Sequence, residues 1–285
     1  MAATNGAAAS GTATNGTATN GTTTNAVADV DELRVEVDRG VMVLTIDRPR
    51  RLNALNQATR DTMQAALEQA VTDGIGVVVI TGAGTRSFSA GGDVKEYAAS
   101  TPAQRLYSTD TGQALTDQLE AHPALIVCAI EGYCVGGGLE LSLAADLRIC
   151  GEDALLGLPE VPLGGVPSWG TTYRLPKVIG LGRAKEMIMF ARHVDAATAL
   201  RWGLIAEVVP TGQALSRAVE VAHAIADGTD AETNARAKRL ISYSAFEGSH
   251  AARRHMEYLA DASQTASAAF QERLIGSRTG AGHGG

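Results

Sequence analysis

The chain has 285 residues, of which 45% are hydrophobic, and 24 basic against 31 acidic residues give it a formal net charge of −7. This is enough apolar material for one sizeable core. The negative charge gives no electrostatic reason to expect nucleic acid or an anionic membrane as a partner. The three cysteines form no metal-binding or disulfide pattern, so no metal site is expected. No apolar run approaches the roughly 20 residues of a membrane-spanning helix.

The first 28 residues are predicted to be a disordered, low-complexity tail. Residues 2–25 contain only Ala, Thr, Asn, Gly and Ser, with Thr-Asn-Gly repeated. Such a segment has nothing to bury that could offset the entropy lost on ordering. It has neither the basic and apolar regions of a secretory signal nor the arginines of a transit peptide. We therefore expect a cytoplasmic protein.

The remaining chain begins with strand-like patterns. Residues 33–37 and 41–46 alternate apolar and polar side chains around a short turn, which predicts a β-hairpin. Asn56 can cap the helix that follows. Continuously apolar runs at 76–80 and 124–130 are typical of strands buried on both faces.

Helical patterns then become more frequent along the chain. Helices are predicted at about 102–121, 139–145, 181–192, 196–202, 214–227, 231–246 and 249–275. Short strands are expected at 147–150 and 154–156. We therefore predict an α/β core at 29–212, a C-terminal helical region at 213–275 and a flexible end at 276–285.

Two glycine-rich loops follow the two buried strands, at 88–95 (FSAGGDVK) and 132–140 (GYCVGGGLE). Glycine lets the backbone approach a ligand closely and present its N–H groups. The second loop also opens a predicted helix, whose first amides lack internal partners. Two such amides converging on one oxygen would form an oxyanion hole. Alternatively, the glycines only make tight turns; a nucleotide phosphate site is less favoured, because no G-x-G-x-x-G or P-loop motif occurs.

These two loops resemble those of the crotonase family, also called the enoyl-CoA hydratase/isomerase family. Further matches follow in the family's order at 46–55 (IDRPRRLNAL), 77–82 (VVVITG), 156–161 (LGLPEV) and 196–210. The resemblance covers roughly residues 32–275. It implies a spiral of repeated ββα units with a C-terminal helical oligomerisation region, assembled as homotrimers or homohexamers. It also implies acyl-CoA thioester substrates, with coenzyme A as part of the substrate and no separate cofactor.

Carried over position by position, the resemblance places the oxyanion-hole amides on Gly92 and Gly137. Hydratases of the family also carry two glutamates, which match Glu140 and Glu160. Hydration of a 2-enoyl thioester needs a base that takes a proton from water and an acid that delivers one to C2. Two carboxyl groups that hold one water molecule can supply both functions.

Each glutamate also has a purely structural interpretation. Glu140 lies early in a predicted helix, where the helix dipole favours an acidic side chain. Glu160 follows a proline at a strand end and could be a solvated loop residue. Isomerases of the family commonly keep only the second glutamate, so the presence of both favours hydration without excluding isomerisation or dehydration.

The substrate contacts implied by the family are less specific. The first loop would meet the adenine and pantetheine through Ala90, Gly92, Asp93, Val94 and Lys95, although Asp93 could instead tie its own loop together. Further contacts are expected from Arg51, Leu52, Phe270 and Arg273, while surface cations are often only solvated. The family's glycine-rich segment after the second glutamate is replaced here by 167–172 (PSWGTT). There Trp169 could reshape the acyl pocket or pack in the core.

The sequence therefore predicts a 2-enoyl-CoA hydratase that uses an oxyanion hole and two glutamates. An isomerase, or another lyase or hydrolase of CoA thioesters on the same fold, is the alternative. A non-catalytic acyl-CoA-binding protein is least favoured, because the four residues Gly92, Gly137, Glu140 and Glu160 are all present.

Overall fold

The computed structural model describes residues 32–246 of the chain. The tail predicted at 1–28, the helix predicted at 249–275 and the flexible end predicted at 276–285 lie outside the described residues. Within 32–246 the strands are β1 (Leu33–Asp38), β2 (Val41–Ile46), β3 (Val77–Gly82), β4 (Ser87–Ser89), β5 (Leu125–Ile130), β6 (Tyr133–Val135), β7 (Leu147–Gly151), β8 (Leu155–Gly157), β9 (Val194–Asp195) and β10 (Glu207–Val209). The helices are α1 (Gln57–Thr72), α2 (Val94–Ala99), α3 (Pro102–Ala121), α4 (Gly137–Leu143), α5 (Thr171–Ile179), α6 (Leu181–Met189), α7 (Ala196–Trp202), α8 (Ala214–Gly228) and α9 (Ala231–Phe246).

In the described part of the chain these strands form two sheets. The larger has the order β1-β2-β3-β5-β7-β10, in which β1 and β2 are antiparallel and all other neighbours are parallel. The smaller has the order β4-β6-β8-β9, with only β9 antiparallel. The chain passes from the larger sheet to the smaller at β3–β4, β5–β6 and β7–β8, and helices carry it back. This is the spiral of repeated units that the family resemblance implies.

The larger sheet is covered on both faces at its centre, which explains why the central strands β3 and β5 are apolar along their length. Every residue of β3 is buried, and so is β5 beyond its first residue. One face packs against α1 and α3. The other packs against α8, whose buried side chains at four-residue spacing are Ala214, Ala218 and Ala222. These small side chains on one face let the helix lie close to the sheet. The helical region predicted from 213 onward thus begins with a helix that packs on the core sheet.

Several local predictions are confirmed. The segment 33–46 forms the β1–β2 hairpin, and α3 spans Pro102–Ala121 as predicted. Asn56 caps α1, because its side chain accepts a hydrogen bond of 2.8 Å from the Thr59 amide. Among the helices of residues 32–246, none is long and apolar enough to cross a membrane.

Other elements differ from the prediction. Residues 87–89 and 133–135, expected in loops, form the short strands β4 and β6, which are too brief to show a two-residue period. The helix α4 begins at Gly137 rather than at 139. The helix α5 was not predicted, because it contains Pro176 and follows Gly170, whose φ is +104°. Proline and glycine normally end helices, so their presence in this segment prevents the sequence pattern from predicting α5.

A buried lysine anchors α9 to the core. The Lys238 ammonium lies 2.8 Å from Asp146 and donates hydrogen bonds to the carbonyls of Leu119 and Ala124 at 3.1 and 3.2 Å. The Lys238 ammonium therefore connects α9 with the end of α3 and with the residues that precede β5 and β7.

We predict that Lys238→Met lowers the free energy of unfolding by about 1–3 kcal/mol, because it removes the buried cation that pairs with Asp146 and donates to two backbone carbonyls. Urea denaturation would measure this change. Arg236→Met on the same helix is the matched control, since among the described residues Arg236 pairs with the exposed Glu232. It should cost about 0–1 kcal/mol. Equal losses in the two variants would show that Lys238 has no special anchoring role.

Candidate active site

The two glycine-rich loops meet at the ends of the paired strands β4 and β6. These strands are parallel, so both loops leave the smaller sheet at the same edge. Gly91 has a φ of +85°, and a Cβ added there would lie only 2.8 Å from the backbone nitrogen of Gly137. Position 91 therefore requires glycine for both its conformation and its contact with the second loop.

Two backbone amides at this contact are available to a ligand. Gly137 is the first residue of α4, where an amide has no partner within its own helix. Within residues 32–246 neither the Gly137 nor the Gly92 amide donates a hydrogen bond to another group of the protein. Gly92 has no positive φ, and a Cβ there would meet no atom within 4 Å. Position 92 thus contributes its backbone N–H to the site, and this contribution does not depend on the absence of a side chain.

Glu140 lies in the first turn of α4 and is only 3% exposed. Its Oε1 accepts hydrogen bonds from the backbone amides of Trp169 at 2.7 Å and Thr171 at 3.3 Å. Burial raises the pKa of Glu140, while these amides act in the opposite direction by stabilising the carboxylate. The side chain is therefore fixed in position and partly stabilised as an anion.

Glu160 follows β8 and precedes a short 3-10 turn. Its Oε1 lies 3.0 Å from the position that a Cβ on Gly136 would take, so it lies beside the second loop. Its Oε2 is buried and finds no hydrogen-bond partner among the described residues. Burial raises the pKa of Glu160 to about 7, and the negative charge of Glu140 adds to this effect. The two carboxyl groups thus interact electrostatically but have different surroundings.

Asp93 holds the first loop in place, which is one of the two roles left open by the sequence. Its carboxylate accepts a hydrogen bond of 3.1 Å from the Lys95 amide and forms an ion pair of 3.0 Å with Arg48. Partial burial alone would raise the pKa of Asp93, but these hydrogen bonds lower it below the usual value. Arg48 was not singled out from the sequence, where nothing distinguishes it from a solvated arginine.

The other predicted contact residues occupy different surroundings. The Ala90 amide donates to the carbonyl of Leu52 at 2.9 Å, so Leu52 supports the first loop through its backbone. The side chains of Arg51, Val94 and Lys95 are exposed. Phe270 and Arg273 lie outside the described residues.

Trp169 connects the two halves of the site. Its ring is 6% exposed and packs against α4, where a Cβ on Gly137 would lie 2.6 Å from the ring. Its carbonyl accepts hydrogen bonds from the Thr116 hydroxyl at 2.9 Å and the Arg174 guanidinium at 3.0 Å. Thr116 and Arg174 thus fix the peptide that donates to Glu140. The sequence carries no signal for this role, because the acceptor is a backbone carbonyl more than 50 residues from Thr116.

The described residues contain no group of three or more His, Cys, Asp or Glu side chains that could hold a metal ion. At the site, the described residues contribute two backbone amides and two carboxyl groups. Such an arrangement can stabilise a developing oxyanion and move protons next to it.

Comparison with known proteins identifies the family of this chain. The family model for enoyl-CoA hydratase/isomerase matches residues 36–276. A short-chain-enoyl-CoA hydratase of Clostridium acetobutylicum is 34% identical over 198 residues, which cover 69% of this chain and 76% of that protein. A 2,3-dehydroadipyl-CoA hydratase of Escherichia coli is 37% identical over 198 residues, which cover 69% and 76%.

Solved structures give the same result for the fold. The crystal structure of an enoyl-CoA hydratase from Bacillus anthracis matches with a TM-score of 0.83 and 32% identity, covering 87% of this chain and 96% of that one. The resemblance inferred from the two glycine-rich loops is confirmed. The chain belongs to the enoyl-CoA hydratase/isomerase family of enzymes.

Proposed function

We propose that this enzyme is a 2-enoyl-CoA hydratase, which adds water across the C2–C3 double bond of an acyl-CoA thioester and catalyses the reverse dehydration. One observation carries the proposal: the buried Glu140 and the half-buried Glu160, whose Oε2 is shielded from solvent, lie beside a loop contact at which two amides have no partner among residues 32–246. An isomerase needs only one proton shuttle, so the presence of the second glutamate favours hydration.

The thioester oxygen would accept hydrogen bonds from the Gly92 and Gly137 amides. When water adds to C3, the π electrons of the double bond move toward the carbonyl and negative charge develops on this oxygen. Two fixed N–H groups stabilise that charge without reorganising during the reaction. The positive end of the α4 dipole points toward the same atom.

The different surroundings of the two glutamates assign their roles. Glu140 accepts two backbone hydrogen bonds and serves as the base that takes a proton from the attacking water. Glu160 has an unpartnered oxygen and a raised pKa, so it carries the proton that is delivered to C2. The hydroxyl of water ends on C3, one proton ends on Glu140, and the proton from Glu160 ends on C2. The pair holds one proton before and after the step.

The proposal includes the rest of the substrate and the assembly. The exposed Arg51 and Lys95 lie next to the first loop and could pair with the phosphates of coenzyme A, with Phe270 and Arg273 adding contacts. No separate cofactor is proposed. By resemblance to the family, we propose a homotrimer or homohexamer that acts in the cytoplasm.

The decisive test follows the absorbance of the conjugated thioester of crotonyl-CoA. We expect the wild-type enzyme to remove this absorbance as it hydrates the double bond. We expect Glu140→Gln and Glu160→Gln each to lower kcat by about 10²–10⁴-fold with a much smaller change in KM, because each substitution removes a transition-state role. Glu152→Gln, at an exposed position away from the site, is the control and should keep full activity. A wild type inactive on every 2-enoyl-CoA would exclude the hydratase, and a variant with unchanged kcat would remove that glutamate from the mechanism.

The pH profile tests the assignment of the proton. Because the pKa of Glu160 is about 7, it holds its proton below this pH and loses it above. We therefore expect kcat/KM for hydration to fall about tenfold per pH unit above this value. For dehydration, kcat/KM should fall over the same pH range, since both directions require Glu140 and Glu160 together to hold one proton. Thermal stability measured over the same range controls for unfolding, and a profile that stays flat up to about pH 9 would contradict the assignment.

A pair of glycine substitutions tests the role of the loop contact. Gly91→Ala should lower kcat by about 10²-fold or more, because the methyl group collides with the Gly137 nitrogen and displaces the oxyanion amides. Gly92→Ala is the matched neighbour: it keeps the N–H, has ordinary φ and finds open space, so kcat/KM should stay within about tenfold of wild type. Steady-state kinetics on crotonyl-CoA would measure both. A larger loss in Gly92→Ala than in Gly91→Ala would argue against this placement of the amides.

A further inference from the structure

The indole of Trp169 lies next to the atoms that would react. Its own amide donates to Glu140 at 2.7 Å, and its ring packs on Gly137, whose N–H would hold the thioester oxygen. The residue therefore contacts both the group that would act on the acyl carbons and the group that would bind the carbonyl. Any acyl chain that continues beyond C3 starts in the neighbourhood of this ring.

The indole also lies against α3 and against Arg60 of α1. A Cβ on Gly112 of α3 would lie 2.1 Å from Cε2 of the indole, so the ring lies directly on the helix backbone. The guanidinium of Arg60 stacks on the same ring at 5.3 Å from its centroid, and Arg60 is itself buried. The ring thus fills the space between α3 and α4 and leaves no room for a second group behind it.

The ring is also held in place. The Trp169 carbonyl is bound by Thr116 and Arg174, and the Arg174 guanidinium is in turn paired with Glu120 and Asp117 at 2.7 Å each. Movement of the indole away from α3 would break its contacts with Gly112 and Arg60. It would also disturb the peptide that positions Glu140. A buried ring fixed at both its backbone and its faces behaves as a wall.

We propose that Trp169 is a specificity-determining residue that closes the acyl end of the site and restricts the enzyme to short-chain 2-enoyl thioesters. This inference rests on the proposed hydratase function and names its substrate class. A chain longer than a few carbons would have to displace a packed indole, and overfilling such a space is costly. Discrimination of this kind is worth about tenfold or more per added group in a closed apolar pocket.

The test compares kcat/KM for crotonyl-CoA, 2-hexenoyl-CoA and 2-octenoyl-CoA. We expect the wild type to lose about tenfold or more between crotonyl-CoA and 2-octenoyl-CoA. Trp169→Ala keeps the backbone N–H to Glu140 and opens the wall, so the ratio of octenoyl to crotonyl activity should rise by about tenfold or more. Trp169→Phe retains a smaller ring and should give an intermediate ratio.

The control is the other tryptophan, Trp202 of α7, whose ring is stacked by Arg183 and Arg192 instead. Trp202→Ala should leave the ratio of the two activities unchanged. Binding of the saturated analogues butyryl-CoA and octanoyl-CoA provides a readout that does not depend on turnover. We expect Trp169→Ala and Trp169→Phe to improve the relative affinity for octanoyl-CoA.

The outcomes separate the inference from the proposed function. A wild type that hydrates none of the three substrates would overturn the short-chain substrate class, and inactivity on every 2-enoyl-CoA would exclude the hydratase itself. A wild type that hydrates all three equally well would overturn the role of Trp169 and leave the hydratase intact, and this arm needs no variant to fold. Variants that lose activity equally on every substrate, with no change in the binding ratio, would show that the ring only supports the core.

Discussion

The contact between Gly91 and Gly137 is the constraint on which the rest of the site depends. Two amides can face one oxygen only if their loops touch, and the loops touch only because β4 and β6 are parallel neighbours and position 91 has no side chain. The three-residue strands that make this pairing join the main core through the buried side chains of Phe88 and Cys134. The larger sheet, covered on both faces, supplies the stability that fixes their position.

Glu140 and Glu160 carry the same side chain beside this contact, but their surroundings differ. Glu140 is buried and accepts hydrogen bonds from backbone amides, whereas Glu160 is half-buried with one shielded oxygen that has no partner among the described residues. Desolvation acts on both, and the hydrogen bonds decide which carboxyl group is more easily kept as an anion. In the proposed mechanism, the acid and base roles thus follow from the path of the backbone near residue 169. That peptide is itself fixed by Thr116 and Arg174.

The sequence indicates the four proposed catalytic residues more clearly than it indicates the residues that hold them in place. Gly92, Gly137, Glu140 and Glu160 are recognisable because a motif places them at fixed spacing along the chain. Arg48 and Arg174 are not recognisable, because each binds a group distant in sequence and each looks like a surface cation. The short strands β4 and β6 escape prediction for a related reason, since pairing with a distant segment creates them and three residues show no period. For Trp169 the sequence leaves two interpretations open, and burial of the ring against Gly112 and Gly137 is what the structure adds.

Because Trp169 packs closely on Gly112, the order in which substitutions at these two positions can be accepted is restricted. The backbone of α3 at residue 112 lies against the indole, so a side chain there would overlap the ring. Position 169 must therefore become smaller before position 112 can acquire a side chain, and the reverse order passes through a colliding intermediate. Positions 112 and 169 are 57 residues apart in the chain, yet substitutions at the two positions can occur in only one order. Variation at one of them among related chains should be accompanied by variation at the other.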